Sequence, residues 1–560
     1  MMTRNTETQF ALNPTRLDMS RSRFDRSSSY TTTFNAGQLI PFYVDEVLPG
    51  DTFDVTTSKI VRMQTLITPP MANIFLDTYF FFVPNRLTWE HWKEFMGENS
   101  QSAWIPEVEY SVPQITAPEG GWQVGSIADY MGIPTGVSNL SVSALPFRAY
   151  ALICNEWFRD ENLTDPLHIP ITDSNQSGSN GSNYITDVVN GGKPFVAAKY
   201  HDYFTSALPS PQKGPDVTIS VLDGQNLPVM SLNKDVAGSA PGSGPAASLW
   251  LGHTVGSSFD ANGYLTAGSA AGPSSADVMF SRLPLSGVHP DGFTPRNLWA
   301  VTDGNLAVAT INQLRTAFQI QKLYERDARG GTRYIEILKS HFGVTSPDAR
   351  LQRPEYLGGS RIPINLHQVV QTSSTTAETP QGNVAGYSVT TDKHQDFTKS
   401  FVEHGFIIGL MVARYKHSYQ QGIERFWSRT GRFDYYWPVF ANLGEMAIKN
   451  KEIYAQGTDE DDEVFGYQEA WADYRYRPSR VTGEMRSVYE QTLDSWHLAD
   501  YYKSLPALSD SWIREDSSVI NRVLAVSSEV SAQFFGDFHI RCLCTRPMPL
   551  YSVPGLVDHH

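Results

Sequence analysis

The sequence contains little cysteine, with three residues in 560. Cys154 stands alone, whereas Cys542 and Cys544 lie two residues apart, which on a strand places both side chains on one face. Three cysteines exclude a disulfide framework, and no second Cys or His pair lies at zinc-finger spacing. We therefore expect buried, reduced thiols, as in a cytoplasmic compartment.

The sequence also lacks long apolar runs and an excess of positive charge. No uninterrupted apolar stretch reaches about 18 residues, and no apolar segment of a signal peptide follows Met1, so we expect neither export nor a membrane span. The formal net charge is -15. The chain as a whole is therefore not a general nucleic-acid binder, and any contact with nucleic acid must be local.

Motifs of catalysis are missing as well. The sequence has no H-E-x-x-H, G-x-S-x-G or G-K-[ST] motif, and Pro194 after Gly192-Lys193 spoils a phosphate loop. Residues 242–247 fit G-x-G-x-x-A, but in low-complexity sequence this is a chance match. The acidic run 459–463 lacks the ligand order of an EF-hand, which favours a solvated loop over a calcium site. The sequence predicts no cofactor, no metal ion and no enzyme activity.

Short β-strands dominate the predicted structure. The 34 prolines and 42 glycines are spread along the chain and favour many short elements, while aromatic residues at 12% can fill a sizeable core. The run Tyr79–Val83 is apolar on both faces, which predicts a strand between two layers. We expect the first and last strands of a sandwich to pair. The predicted strands are Thr31–Phe34, Leu39–Val44, Lys59–Ile67, Ile74–Val83, Gly405–Arg414 and Phe534–Thr545.

Three segments with helical periodicity interrupt the strands. One begins at Asn85, which can cap it, and ends at Gly97; the second begins near Pro146 and reaches Phe158. The third spans roughly residues 305–329. The aromatic stripes of these helices are assigned to packing rather than to a cofactor site.

Three segments are predicted to lie outside the core of one large domain, residues 30–560. Residues 1–29 carry five arginines among polar residues and predict an extended arm. Residues 217–305 form an insertion, and within 237–276 as many as 28 of 40 residues are Gly, Ser, Ala or Pro. Residues 371–399 form a second, variable loop. The insertion's candidate packing anchors are Trp250, Phe259, Tyr264 and Phe280, with Leu249, Leu251 and Met279 beside them.

Two clusters mix arginine with aromatic residues, residues 425–437 and 474–480. Such stretches suit single-stranded nucleic acid, because rings stack on unpaired bases while guanidinium groups pair with phosphate. A subunit interface is the open alternative, since Tyr, Trp and Arg are also enriched there. The candidate DNA contacts are Arg475, Arg477 and Arg480, together with Arg4, Arg16 and Arg21 of the arm.

Several long sequence words carry a resemblance over nearly the full chain. The chain resembles the major capsid proteins of the gokushovirus branch of the Microviridae, small icosahedral single-stranded DNA phages. The Gly/Ser/Ala segment of the insertion departs from that family. The words that carry the resemblance are Gln38–Asp51, Tyr79–Trp89, Asn155–Asn162, Glu325–Tyr334, Arg353–Gly359 and Pro547–Leu556.

The resemblance implies a mainly β fold, an eight-stranded antiparallel jelly roll with long, partly helical insertions. It implies sixty copies in a T=1 shell with fivefold, threefold and twofold contacts, around circular single-stranded DNA. The implied partners are an internal scaffolding protein, a small basic DNA-binding protein and a host receptor that the insertion meets at the threefold axes. It places the protein in the virion, assembled in the bacterial cytoplasm. A glycan-binding or glycan-cleaving β-sandwich is the alternative from another functional class.

Overall fold

The structure is a computed structural model of the chain. It divides into two compact units, one of Met1–Lys213 with Tyr324–His560 and the other of Gly214–Leu323. No helix among the residues described has the length and apolar character that a membrane crossing requires. The structure describes residues 20–98, 109–215, 217, 229–231, 251–252, 294–295, 298–300, 311–331, 333–344, 352–376 and 380–551.

Most regular structure in the described residues is β. The strands, in chain order, are β1 Ser22–Asp25, β2 Ser28–Phe34, β3 Ile40–Val47, β4 Thr52–Met63, β5 Ile74–Pro84, β6 Gln114–Thr116, β7 Ser141–Ser143, β8 Gln176–Ser177, β9 Val229–Ser231, β10 Leu251–Gly252, β11 Thr294–Pro295, β12 Leu298–Ala300, β13 Glu355–Pro363, β14 Leu366–Val370, β15 Val384–Ser388, β16 Thr390–Ser400, β17 Gly405–Tyr415, β18 Met446–Lys449, β19 Val464–Gln468 and β20 Phe534–Arg546.

The helices of the described residues are mostly single turns, which fits the frequent prolines and glycines. They are α1 Asn85–Thr88, α2 Trp92–Phe95, α3 Ile127–Tyr130, α4 Leu145–Ile153, α5 Ile311–Gly330, α6 Tyr334–Phe342, α7 Asn450–Ile453, α8 Asp510–Ile513 and α9 Ser518–Asn521. Short 3-10 turns fill much of the sequence between β17 and β20.

The larger unit is built around two antiparallel sheets. The five-stranded sheet has the order β1-β20-β4-β16, and β2 also pairs with β20. In its register Phe34 lies opposite Phe534, and Phe534 lies opposite Met63. The four-stranded sheet has the order β13-β5-β17-β3. The prediction that the first and last strands pair is therefore confirmed.

The two sheets pack face to face around the main core. Side chains alternate between buried and exposed along β4 and β20, as expected for a sheet with one face in water. The Phe42 ring of the four-stranded sheet lies 5.3 Å from that of Phe538, and the Phe80 ring lies 5.5 Å from that of Phe397. Full burial of each such ring contributes about 1.5–3 kcal/mol of hydrophobic free energy.

A second core covers the opposite face of the four-stranded sheet. Phe81 on β5 and Leu410 on β17 pack there against Phe147 and Tyr150 of α4. The Tyr150 hydroxyl also donates a hydrogen bond to the carbonyl of Leu39, at 2.7 Å. Phe80 and Phe82 of β5 face the main core while Phe81 and Val83 face the second core, so the two-layer prediction for residues 79–83 is confirmed.

A third core lies beneath the segments rich in arginine and aromatic residues. The Phe204 ring lies 4.8 Å from that of Tyr419 and 6.2 Å from that of Phe465. The Trp512 ring packs against Phe465 at 5.2 Å. The short β18-β19 sheet joins this core through Ile448 and Phe465. This core supports the residues that precede β18 and those that follow β19 in sequence.

The structure corrects two of the predicted segments. Strands β1 and β2 begin inside the predicted arm, so residues 22–25 and 28–29 pair with β20, whereas residues 1–19 lie outside the description. The loop predicted for 371–399 is wrong in its second half, because residues 384–388 and 390–400 form β15 and β16. Strand β16 is rich in polar residues because many of its side chains are exposed while its backbone pairs with β4.

The structure contradicts one of the three predicted helices and confirms the other two. The single helix expected from Asn85 is wrong, because α1 ends where Trp89 adopts an extended conformation, and α2 starts anew. The helix near Pro146 is confirmed as α4, which continues into a π-helical turn over Cys154–Phe158. Helix α5 confirms the third within its described residues. The described strands of the smaller unit form two short pairs, β9 with β12 and β10 with β11.

Candidate nucleic-acid and subunit interface

Residues 423–443 form an irregular surface segment with many exposed apolar side chains. The segment contains 3-10 turns and no strand, so its backbone does not bury one face as a sheet would. Trp427 is 71% exposed, Phe433 72% and Val439 87%. Contiguous apolar exposure of this kind on a folded protein marks an interaction surface.

Trp471 supports this segment from beneath. Its backbone lies in the left-handed region, with φ of 65°, which a bulky residue seldom adopts. Its indole N–H donates to the carbonyl of Phe440 at 3.0 Å, and its ring stacks on that of Phe440. The Tyr436 ring meets it edge-on, with centroids 5.6 Å apart. The buried indole therefore fixes the position of residues 436–440.

Asp434 fixes the turn that precedes these aromatic residues. Its Oδ2 accepts hydrogen bonds from the backbone N–H groups of Thr430 and Gly431, at 2.9 and 2.7 Å. These backbone donors favour the carboxylate and lower the pKa of Asp434. The carboxylate charge of Asp434 is therefore stabilised by backbone N–H groups of the same segment.

A shielded ion pair joins the two arginine and aromatic clusters. The Arg429 guanidinium donates to the carboxylate of Asp473, and little of either side chain is exposed. The same guanidinium lies over the ring of Tyr474, 4.4 Å from its centroid, and over that of Tyr435 at 5.5 Å. Residues 425–437 and 474–480, separate in sequence, thus form one continuous surface.

The three arginines proposed from the second cluster are exposed but already have acidic partners. Arg477 and Arg480 both donate to Glu424, at 3.1 and 2.6 Å, and Arg475 pairs with Glu469 at 2.5 Å. More than half of each arginine side chain is exposed. Two guanidinium groups share the single charge of Glu424, which leaves positive charge for another ligand.

The charge of this surface is opposite to that of the chain. Residues 423–443 and 473–486 together contain seven arginines and four acidic residues, in a protein whose formal net charge is -15. A cavity of about 190 Å³ opens beside them. Its lining mixes Trp427, Pro478 and Arg480 with the acid Glu424. The cavity is therefore lined by an aromatic ring and by charged groups of both signs.

The remaining predicted site residues are only partly described. Arg21 is exposed just before β1 and donates to the carbonyl of Gly50. The structure brings Arg477 and Arg480 to one carboxylate but gives Arg21 a different neighbour. The other predicted residues, Arg4, Arg16, Trp250, Phe259, Tyr264 and Phe280, lie outside the described residues.

Arg333 joins two of the sequence words that carried the resemblance. Its guanidinium contacts the carboxylates of Glu156, at 2.9 Å, and Glu161. It also contacts Glu336 at 3.2 Å and the carbonyl of Asn155 at 2.7 Å. One partly buried arginine therefore fastens the start of α6 to the segment after α4, which explains why charged residues occur in both words.

Sequence reasoning missed a buried charge cluster around Asp77 in the four-stranded sheet. Its carboxylate is 1% exposed and accepts hydrogen bonds from Arg414 at 2.6 Å and Arg361 at 2.7 Å. The hydroxyls of Tyr79 and Tyr200 donate to it as well, at 3.0 and 2.9 Å. Burial opposes ionisation, but these donors outweigh it and lower the pKa of Asp77. One acid inside an apolar strand was the available signal.

A second buried cluster holds distant segments of the chain together. His417 contacts Asp500 through Nδ1 at 3.0 Å and Glu515 through Nε2 at 3.1 Å. Lys199 approaches Asp500 at 3.7 Å. Burial disfavours the charged imidazole, yet the two carboxylates raise the pKa of His417 to about 9. The ring is therefore charged at neutral pH and donates from both nitrogens.

No group of three or more His, Cys, Asp or Glu side chains in the described parts of the chain is arranged to hold a metal ion. Cys154, Cys542 and Cys544 are buried free thiols, so the predicted burial is confirmed. Burial raises the pKa of the Cys154 and Cys542 thiols. These cysteines are packing residues.

Comparison with known proteins gives matches along nearly the whole chain. Residues 15–556 match the family described as capsid protein (F protein). The capsid protein VP1 of Spiroplasma virus 4 is 43% identical over 540 residues, which cover 96% of this chain and 95% of the relative. The capsid protein VP1 of Bdellovibrio phage phiMH2K is 42% identical over 554 residues, covering 99% and 98%. That of Chlamydia phage 1 is 42% identical over 589 residues, covering 96% of each chain.

Proposed function

The chain belongs to the capsid protein (F protein) family, and we propose that sixty copies of it build a T=1 shell around circular single-stranded DNA. The match over residues 15–556 is the observation that carries this conclusion, because it spans both units rather than one shared module. The family and the VP1 relatives make the chain a structural capsid protein of the virion. We further propose that it has no catalytic role.

The strand order supports a jelly roll as the shell-forming fold. One sheet has the order β2-β20-β4-β16 and the other β3-β17-β5-β13, and every pair is antiparallel. Consecutive strands of this set alternate between the two sheets except for β5 and β13, which pair within one sheet, and this is how the chain winds through a double-sheet jelly roll. The long connections between strands leave room for contacts between subunits.

Self-assembly is tested by coexpression with the proposed internal scaffolding protein. We expect the capsid chain to sediment as closed particles, because its exposed apolar surface can be buried only by other molecules. A chain that sediments as a monomer even with that partner would contradict the proposal. Sedimentation velocity of the two coexpressed proteins is the measurement.

Contact with the packaged DNA is proposed for Arg475, Arg477 and Arg480, with Arg4, Arg16 and Arg21 of the N-terminal segment. Support comes from the locally positive surface, the exposed guanidinium groups and the neighbouring tyrosine rings Tyr474 and Tyr476. Such contacts hold phosphate without reading base sequence. A small basic protein is proposed to neutralise most of the genome, because the capsid chain itself is acidic.

The insertion over residues 217–305 is proposed to form a threefold protrusion that meets the host receptor. Its support is the sequence alone: few charges, which would repel near a symmetry axis, and spaced apolar anchors such as Trp250 and Phe280. Assembly in the bacterial cytoplasm is also proposed from the sequence alone.

Deleting residues 237–276 is expected to leave particles that assemble but attach poorly to host cells. The reason is that this Gly, Ser and Ala-rich segment is too poor in apolar residues to contribute much to a core. Particle yield by sedimentation and attachment by infectivity are measured together. Loss of assembly, with normal attachment by surviving particles, would make the segment a structural clamp instead.

A further inference from the structure

The exposed apolar side chains of residues 426–443 form a face that adjoins the arginines of both clusters. We call it the apolar face. Each of its side chains is at least 41% exposed, although most are aromatic and large. The members are Phe426, Trp427, Phe433, Tyr435, Tyr436, Trp437, Val439 and Leu443.

The charge of the apolar face does not suit nucleic acid. Among residues 426–443 the charged side chains are Arg429, Arg432 and Asp434, and Arg429 is paired with Asp473, so little net charge is left on the face. Residues 473–486, in contrast, contain four arginines and two acidic residues. Interfaces with nucleic acid are strongly positive, because they must neutralise phosphate. Within this continuous surface, the unbalanced positive charge that nucleic acid needs is therefore concentrated at 473–486 rather than at 426–443.

The aliphatic side chains of the apolar face also favour a protein partner over nucleic acid. Val439 is 87% exposed and Leu443 is 49% exposed. Aliphatic side chains lack the π-face on which an unpaired base stacks, so stacking gives them no role in binding single strands. Methyl groups and aromatic rings that protrude together are typical of the central part of a protein interface.

The face is also held in a fixed shape before it binds. Trp471 fixes residues 436–440 from beneath, and Asp434 fixes the turn at Thr430 and Gly431. A surface ordered in advance loses less conformational entropy on binding, which favours association with another rigid surface.

We propose that the apolar face binds a second copy of this chain in the assembled shell, and that the adjoining surface at 474–480 is left to contact DNA. This inference rests on the proposed shell, in which every subunit meets identical copies through repeated contacts. A neutral, apolar face suits a partner of the same acidic chain, because a charged face would repel its copies.

Hydrogen–deuterium exchange separates the two surfaces in three states: free subunit, DNA-free shell and full particle. We expect residues 426–443 to gain protection in the DNA-free shell and residues 474–480 only in the full particle. Protection of 426–443 only when DNA is present would assign the face to nucleic acid and overturn the proposal. No protection in either particle would also overturn it. If no particles form, the proposed function fails instead, and the two failures are thus distinguishable.

Substitution of Val439 tests the same contact. V439D adds a charge to a side chain that is 87% exposed in the subunit, so the fold should be unaffected. In the shell the charge would be buried without a partner, and we expect particle yield to fall by about tenfold or more. V402D is the matched control for folding, because Val402 is 84% exposed but lies outside the face. Normal assembly of V439D, with thermal unfolding equal to V402D, would refute the proposed contact.

Discussion

Replacing Asp77 with alanine is expected to lower the subunit's free energy of unfolding by about 3 kcal/mol, among the largest effects of any single substitution in the sheets. Removing one partner of a buried ion pair leaves an uncompensated charge and costs about 3–5 kcal/mol. The lower figure applies because Arg361 is 54% exposed and can be solvated after the change, whereas Arg414 is 11% exposed. The Tyr79 and Tyr200 hydroxyls would also lose their acceptor.

Asp462→Ala is the matched control for this substitution. Asp462 also contacts two cations, Lys449 and Lys451, each at 2.8 Å, but its side chain is 64% exposed. Water screens exposed ion pairs, so the control should change stability little. Urea unfolding of the full chain, followed by tryptophan fluorescence, measures both variants. Equal losses from the two substitutions would show that burial of the Asp77 cluster is not what stabilises the four-stranded sheet.

Replacing Arg475, Arg477 and Arg480 together with alanine is expected to yield shells that retain much less DNA. Each phosphate contact releases a counterion when DNA binds, so the loss of a contact makes binding less dependent on salt. Losing three contacts should reduce the magnitude of the slope of log affinity against log salt by about 2 for a single strand. Because the three side chains are more than half exposed, the subunit should still fold. Packaged DNA per particle, measured over a salt series, checks the result.

Glu424→Gln provides the opposing variant. It removes the carboxylate charge shared by Arg477 and Arg480 while keeping an oxygen that can accept their hydrogen bonds. We expect this variant to retain DNA at higher salt than the parent, the reverse of the triple substitution. Normal DNA content in the triple variant, together with an outward position of residues 475–480 in the particle, would contradict the assignment.

The strands of the sandwich could be predicted because their side-chain pattern is local. Residues 405–414 and 534–545 are read as strands from runs of apolar and β-branched residues, and β17 and β20 each extend these ranges by one residue. The polar β16 could not be found this way. Its burial depends on pairing with β4, which is more than 300 residues away in sequence.

The candidate surface was only partly predictable for the same reason. The composition of residues 425–437 and 474–480 marked both clusters as interaction sites. It did not indicate that Glu424 pairs with Arg477 and Arg480. The split between an apolar face and an arginine surface also needed the exposures of individual side chains. Local composition identifies candidate residues, while their electrostatic partners come from distant parts of the chain.

Cryo-electron microscopy of particles from cells that express the chain with its scaffolding partner tests the central claim most directly. The proposed function predicts closed, uniform icosahedral shells with sixty copies of the chain, and the sandwich of β2-β20-β4-β16 against β3-β17-β5-β13 in each copy. Residues 426–443 should lie between neighbouring subunits. Purified protein that remains monomeric, or forms only irregular aggregates under the same conditions, would contradict the claim that this chain builds a T=1 shell.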